Sequence, residues 1–366
     1  MSRTRRIMVA SIALALVVSA CAGATDPGSP APSAAVTPST IPTTAPTPAS
    51  AAPSPPPSPE RTPLPSIVSG EAWIAFQTTT SAGNGIHLIR PDGSGLHRWP
   101  SGIPGVQQHP DWSPDGDRIL LDAADGQGIN DLWFANADGS AATLIVDCVE
   151  PCLWANEPAW SPDGLTIAFH RAVLADGELR STLEVLDLAS GEVRVVLTMP
   201  TKQVLLAPRW AADGKRLAVE VIHLPEATAE AEPDGGAIGV VDLDATTPKV
   251  TLLTDFDTFG NNPDWSPTED LILFSQPAGP ERQFADLRVI RPDGSGLRDV
   301  TDLVRDGAAA IHPAFTPDGK RILFLLTRAG KQETVMAFVD LDGSNLGPAT
   351  GTEYQDGFHP RLRPTP

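Results

Sequence analysis

Three histidines in this sequence share one local context, because each is followed directly by a proline. They are His109, His312 and His359. Two other polar residues, Glu157 and Asn262, precede a proline in the same way. Imidazole, carboxylate and amide groups brought together could ligate a metal ion or grip a polar ligand. We therefore take these five residues as the candidate ligand-binding or partner-binding set.

The sequence lacks the common catalytic motifs. It contains no nucleophile elbow, phosphate-binding loop, dinucleotide fingerprint or His-Glu-x-x-His motif. Asp-Gly pairs such as Asp342-Gly343 look faintly like calcium loops, but an EF-hand needs more ligands and a bidentate glutamate. In their repeated positions they are interpreted as hairpin turns. We accordingly predict no catalytic residue and no cofactor.

The candidate residues belong to a repeat. Each lies three positions before an anchor in the pattern Pro-x-Trp-Ser-Pro-Asp-Gly, and Ala207 holds the same position in a further copy. Successive anchors are 48, 50, 55, 50 and 47 residues apart, and they are Trp112, Trp160, Trp210, Trp265, Phe315 and Leu362. A period near fifty, with short β-branched and apolar segments and Gly-containing turns, indicates four strands per repeat. Sustained helical periodicity is absent, so helical solenoids are excluded.

This pattern resembles the TolB-type, WD-repeat-like propeller repeat across residues 70–364. The resemblance implies an all-β, six-bladed propeller of four-stranded antiparallel blades, with the Pro-x-Trp strand innermost in each blade. It does not imply one activity, since such blades serve as periplasmic scaffolds, as gating domains of peptidases and in carbohydrate-active enzymes. The candidate residues are then expected to start the innermost strands and to ring one mouth of the central channel.

The two ends of the predicted domain complement each other. The first blade begins near Ala72 with a second-strand sequence that lacks a Pro-x-Trp strand before it. The segment His359-Pro360-Arg361-Leu362 supplies such a strand at the other end. We therefore predict that the C-terminal strand pairs into the first blade and closes the ring, which leaves no free sheet edge there.

Ring position alone does not make a metal site. Neighbours around a propeller need not converge within ligand distance, and His or Asn here is also explained as repeat consensus that bonds backbone at the strand entrance. We therefore predict no metal. The loops between second and third strands, such as Arg171–Ser181 and the acidic Leu224–Gly236, vary most and are expected to flank the same mouth.

The N-terminal residues predict an address outside the cytoplasm. Residues 1–20 contain Arg3, Arg5 and Arg6, an apolar run and small residues, which is the layout of a lipoprotein signal peptide. The tetrad ending at Cys21 resembles the bacterial lipobox, which implies that Cys21 is acylated. Residues 21–66 are rich in Ala, Pro, Ser and Thr and are predicted to form a disordered tether. The propeller follows over residues 67–366.

Cysteine count and charge agree with that address. Apart from Cys21, the chain has only Cys148 and Cys152, which are a disulfide candidate in an oxidising compartment. The formal net charge is −19, and removal of the signal peptide takes away three positive charges. Such acidity argues against nucleic-acid binding and against a basic patch for anionic lipids.

These inferences favour a lipid-anchored, extracytoplasmic binding or scaffold protein, on the cell surface or in the periplasm. The expected partner is a protein or a glycan or peptide of the cell envelope, membrane contact is through the N-terminal lipid only, and the chain is expected to be monomeric. Two alternatives stay open, namely a carbohydrate-active lyase or hydrolase, and a sensor of a small ligand or ion. Both would use the same channel mouth.

Overall fold

The computed structural model describes residues 67–68, 70–80, 83–328, 334–350 and 357–365. The predicted signal peptide, Cys21 and the tether over residues 21–66 lie outside these ranges. Within them the regular structure consists of strands, together with two short 3₁₀ turns at Phe256–Thr258 and Val304–Asp306. No helix of this part of the chain is long and apolar enough to cross a bilayer.

The described strands form two four-stranded sheets and two eight-stranded sheets. Each eight-stranded sheet divides at one parallel residue pair into two four-stranded antiparallel units, and we label the resulting units blades one to six. Blade one consists of β1 (Ile74–Thr80), β2 (Gly83–Ile89), β3 (His97–Arg98) and the C-terminal β24 (Gly357–Leu362). Blade two consists of β4 (Val106–Trp112), β5 (Arg118–Ala124), β6 (Asn130–Asn136) and β7 (Thr143–Val146). Blade three consists of β8 (Cys152–Trp160), β9 (Thr166–Ala175), β10 (Glu178–Asp187) and β11 (Val193–Thr198).

The remaining blades repeat this order. Blade four consists of β12 (Gln203–Trp210), β13 (Arg216–His223), β14 (Gly235–Asp242) and β15 (Val250–Leu252). Blade five consists of β16 (Asn261–Trp265), β17 (Ile272–Ala278), β18 (Phe284–Ile290) and β19 (Arg298–Asp299). Blade six consists of β20 (Ala308–Phe315), β21 (Arg321–Arg328), β22 (Thr334–Asp340) and β23 (Gly347–Pro348).

The repeated turn explains why each first hairpin forms. In blade two the Ser113 hydroxyl donates to Asp115 and accepts a hydrogen bond from the Arg118 N–H at 2.9 Å. Asp115 also accepts the Asp117 N–H at 3.0 Å, and Gly116 takes the positive φ of 72° that closes the turn. Blades three and six repeat this network at Ser161 and Thr316.

The core lies between neighbouring blades rather than inside any one of them. One cluster joins Trp73 and Leu88 of blade one to Trp112 and Ile119 of blade two, and all four are 5% exposed or less. The Trp112 indole also donates to the Arg361 carbonyl of β24 at 3.1 Å. Because a lone four-stranded sheet cannot bury both faces, each blade depends on its neighbours for stability.

The C-terminal strand lies beside the first one. β24 pairs antiparallel with β1, with Leu362 opposite Ile74 and Phe358 opposite Gln77. Arg363 then donates to the Gly116 carbonyl in blade two at 2.7 Å and to the Val68 carbonyl at 2.8 Å. These contacts connect the last residues of the chain to two blades near its beginning.

Some predicted loops are strands. Arg171–Ser181 was expected to be a variable loop, but β9 runs to Ala175 and β10 starts at Glu178, so only Asp176-Gly177 turns. The strands of this hairpin pair over ten residues each. The loop between β13 and β14 does exist, and its Glu226, Glu230 and Glu232 are exposed.

Candidate functional site

All six residues at the repeated position before proline have a left-handed backbone. Their φ angles lie between 46° and 50°, and they are His109, Glu157, Ala207, Asn262, His312 and His359. In each innermost strand the pairing register shifts at or next to this residue, which defines a β-bulge. The sequence predicted that these residues start their strands. That prediction is wrong, because each strand begins one to five residues earlier.

At each bulge, one backbone N–H has no acceptor on the paired strand. In three cases a polar side chain from the second strand of the preceding blade accepts this N–H. Asp122 accepts from the Glu157 N–H at 3.1 Å, Glu220 from the Asn262 N–H at 2.9 Å, and Gln77 from the His109 N–H at 3.4 Å. The second strands therefore brace the bulges from one blade to the next.

This second ring of polar residues was not predicted from the sequence. Its signal is visible, because every second strand has three apolar residues and then one further position. That position holds Gln77, Asp122, His170, Glu220, Ser275 and Leu325. A polar residue there in five of six repeats departs from the apolar run expected for a strand buried on both faces.

His109 and Asp122 form the best-connected pair in the channel. Asp122 is fully buried and lies 2.7 Å from the His109 Nδ1 and 2.7 Å from the Asn130 amide. The His109 Nε2 is 3.9 Å from Glu157. Burial alone lowers the pKa of His109, but the carboxylates of Asp122 and Glu157 outweigh it and hold that pKa above its ordinary value. Of the three candidate histidines, His109 is thereby the one best suited to carry a positive charge.

The other two candidate histidines are neutral. The rings of His312 and His359 stack with centroids 3.9 Å apart, and His359 meets His109 edge-on at 4.5 Å. Burial lowers the pKa of His312 to about 3, and burial together with the neighbouring rings lowers that of His359 well below its usual range. Neutral imidazoles can both donate and accept hydrogen bonds.

A second layer of charge lies two residues further along the innermost strands. The middle residue of Pro-x-Trp is Asp111, Arg209, Asp264 or Arg361 in four of the blades. Asp111 accepts the Trp160 N–H at 2.9 Å and Asp264 accepts the Phe315 N–H at 2.7 Å, each in the next blade. Arg361 lies 3.9 Å from Asp264. These four residues were also missed, although a charge between two buried residues was a usable signal.

One cavity collects these groups. It is lined from all six innermost strands and contains all five candidate residues predicted from the sequence, together with Arg209 and Arg361. The volume open to the centre of a water molecule is about 10 Å³, which is close to what one buried water needs. The cavity can therefore take the tip of a polar group but not a whole sugar ring.

The histidines converge without forming a metal site. Among the described residues, no group of three or more His, Cys, Asp or Glu side chains is arranged to hold a metal ion. What the cavity offers is hydrogen-bond donors and acceptors.

Solved structures share this architecture. The chain is similar to TolB of Acinetobacter baumannii, with a TM-score of 0.57, 16% identity, 80% of this chain and 66% of that chain covered. It is also similar to a protein assigned as TolB from Agrobacterium tumefaciens, with a TM-score of 0.55, 20% identity, and 80% and 92% covered. A third similar structure is hydrazine synthase of Kuenenia stuttgartiensis, with a TM-score of 0.60, 12% identity, and 82% and 48% covered.

The fold is a TolB-like β-propeller. The predictions of the all-β class and of the repeat type are thus confirmed. No protein-family model matches the sequence, and no curated protein is significantly similar to it. Identities of 20% and below carry the fold and not the activity.

The described part of the TolB-like propeller contains one disulfide bond. Cys148 and Cys152 form a disulfide with their Cα atoms 5.4 Å apart, in the connection that enters β8 of blade three. Both sulfurs belong to a buried apolar cluster with Trp160. A disulfide in this position is compatible with an oxidising compartment.

Proposed function

We propose that this protein is a non-enzymatic, lipid-anchored binding protein outside the cytoplasm, and that it recognises a partner or ligand through the propeller channel. The observation that carries this proposal is the convergence of the bulge residues and two arginines on one cavity. Polar groups that converge in a concavity are the usual signature of a recognition site. Cys21 acylation supplies the membrane anchor in this proposal, and the protein is taken to act as a monomer.

The chemistry of the channel supports binding more than catalysis. Each buried carboxylate already accepts a backbone or side-chain hydrogen bond within the protein, as Asp122 and Glu157 illustrate. The acceptors are therefore engaged in holding blades together. A partner or ligand that places a small polar group in the cavity would meet the remaining donors.

One observation favours a second candidate function. The pair His109–Asp122, with Glu157 at 3.9 Å from the Nε2 atom, has the arrangement of a base oriented by a carboxylate. A carbohydrate-active lyase or hydrolase could use such a pair. The small volume of the cavity argues against this function, because the reacting sugar has no room beside His109.

Partner capture with matched variants tests the proposal. The full-length protein is solubilised in detergent from its native membrane. Three forms are compared, namely the wild type, His312→Ala with His359→Ala, and Lys215→Ala in the turn between β12 and β13. Alanine suits the bulge backbone, because Ala207 occupies this position with a φ of 46°. We expect a co-purifying species to be lost from the histidine double variant and kept by Lys215→Ala.

The opposite pattern would contradict the proposal. A species kept by the double variant and lost from Lys215→Ala would move recognition to the rim of the first hairpin turns. Release of reducing sugar ends from envelope polysaccharides by the wild type, and not by His109→Ala, would favour the enzyme instead.

A further inference from the structure

Several polar groups of the cavity have no hydrogen-bond partner inside the protein. The carboxylates of Asp111, Glu157 and Asp264 each accept a backbone N–H from another blade. Among the described residues lining the cavity, the buried side-chain atoms without a partner are Nε of Arg209, Nε of Arg361 and Nδ1 of His312. The two arginine Nε–H groups can only donate, so a ligand that pairs with them must bring acceptor atoms.

The two arginines hold equivalent positions in strands three blades apart. Arg209 is the middle residue of Pro-x-Trp in blade four, and Arg361 is its counterpart in blade one, so they approach the channel from opposite sides. Arg209 is 7% exposed, and its Nη1 is held by the carbonyls of Pro158 and Pro208 at 3.4 and 3.3 Å. Arg361 Nη1 is 3.5 Å from the Pro313 carbonyl. The guanidinium groups are thus fixed while their Nε–H groups stay unpaired.

The charges around the arginines limit what can bind. Burial, and then the proximity of Arg361, lower the pKa of Arg209 to about 10, so the two cations repel each other in a poorly solvated site. An anion between them would relieve this repulsion. The carboxylates of Asp111, Asp264 and Glu157 act on Arg209 in the opposite direction, and this negative charge favours a singly charged group over a doubly charged phosphate or sulfate.

We propose that the cavity between Arg209 and Arg361 binds a carboxylate group. A carboxylate has one negative charge and two acceptor oxygens, and a guanidinium is the side chain that matches it best. The cavity has room for about one water-sized group, so the end of the carboxylate enters it and the rest of the ligand extends toward the channel mouth. This inference rests on the proposed function and names the chemical group that the channel recognises.

Thermal unfolding of the full chain in sodium acetate tests the inference. Acetate is compared with sodium chloride at equal ionic strength, because a ligand of the folded state at free concentration L stabilises it by RT ln(1 + L/Kd) and so raises the unfolding temperature. We expect a rise in acetate only, growing with the logarithm of the acetate concentration above Kd. Arg209→Gln and Arg361→Gln should each weaken the apparent acetate affinity about tenfold, as expected for one charged hydrogen bond.

Arg216→Gln is the matched control. Arg216 is the first residue of β13, and it pairs with Asp213 at 2.8 Å and with Asp270 at 3.0 Å. Its variant should keep the wild-type acetate response. Equal responses to acetate and chloride in the wild type, or an acetate response unchanged in both channel variants, would overturn the inference. If Arg209→Gln does not fold, Arg361→Gln and Arg209→Lys carry the same comparison.

Two further arms separate the source of the carboxylate and the two proposals. Acetyl-diglycine is compared with its C-terminal amide. Binding of the acid alone indicates a peptide C-terminus as the source of the carboxylate. Binding of acetate but not of the peptide indicates a free small carboxylate. Loss of the co-purifying species from the His312→Ala, His359→Ala variant with no acetate response would reject the carboxylate while leaving the proposed function in place. An acetate response without any channel-dependent partner would do the reverse.

Discussion

Asp122 is the residue whose removal should reveal how far the channel polar network stabilises the propeller. Its carboxylate is 0% exposed and accepts hydrogen bonds from His109, Asn130 and the Glu157 N–H. Asp122→Ala would leave the His109 ring and the Glu157 N–H without partners, whereas Asn130 keeps a bond of 3.3 Å to Gln108. Each buried donor left unpaired costs about 1–3 kcal/mol. We therefore expect a loss of about 3–5 kcal/mol in the free energy of unfolding.

Urea unfolding followed by tryptophan fluorescence measures this loss. Asp122→Asn is the informative companion, because it keeps one oxygen for the Glu157 N–H and should cost less than the alanine variant. Asp147→Ala removes an exposed carboxylate and should change stability by less than about 0.5 kcal/mol. A loss for Asp122→Ala no larger than that of Asp147→Ala would refute the argument.

The pH dependence supplies an independent check on the same residue. The folded protein holds the pKa of His109 above that of the unfolded chain. The ionic part of the His109–Asp122 interaction is therefore fully present below the unfolded histidine pKa of about 6.5 and is lost as the pH rises through the raised value. The difference in stability between wild type and Asp122→Ala should shrink over that interval. A difference that grows with pH would contradict the assigned charge of His109.

Four more predictions follow from the fold, the anchor and the buried acid. Deleting residues 356–366 removes β24 from blade one and should lower the unfolding temperature of the whole domain, whereas an unchanged temperature would contradict ring closure. Cys21→Ser should leave uncleaved precursor or release the protein from the membrane fraction, and processing and retention like the wild type would reject the lipobox. Burial raises the pKa of Glu220 to about 8, so the contribution of Glu220 to stability is fully present below about pH 4.5 and is lost as the pH rises through 8. Glu220→Gln should therefore gain stability relative to wild type at pH 8 but not at pH 4.5. The gain should be a few kcal/mol at most, since one pKa unit is about 1.4 kcal/mol. Gly164→Ala, at a φ of 71°, should cost about 1 kcal/mol in a thermal melt, and no loss would reject the strained-turn argument.

The repeats made the fold predictable from the sequence, but they did not show how far along the innermost strands the candidate residues lie. The in-phase Pro-x-Trp and Ser-Pro-Asp-Gly segments predict strand, turn and strand directly, since proline and glycine restrict the backbone in known ways. The bulge has no such signature, because His109, Glu157 and Ala207 adopt the same positive φ with unrelated side chains. Strand register within a blade decides whether a residue lies on the rim or inside the channel, and residue type alone does not reveal register.

The residues missed by sequence reasoning were missed for a different reason. Asp122 and Glu220 stand at the end of apolar runs, where a polar residue ordinarily marks the end of a buried strand. In a propeller the innermost strand bulges, and the polar side chain is needed to pair the N–H that the bulge exposes. Only the three-dimensional relation between two blades turns this ordinary polar position into one that holds the blades together.

The repeat gives every blade the same backbone, so the properties of the channel come from the differences between equivalent side chains. At the bulge position, blades six, one and two place His312, His359 and His109 side by side. At the same position, blades three and five instead hold Glu157 and Asn262, and blade four holds Ala207. The three neighbouring histidines are thus followed around the channel by one carboxylate, one methyl group and one amide, although the scaffold is nearly symmetric. In the proposed function, a ligand in such a channel has a preferred orientation, because the imidazoles, the carboxylate and the arginines lie at different positions around it. Under that proposal, selectivity depends on the few positions where the repeats differ.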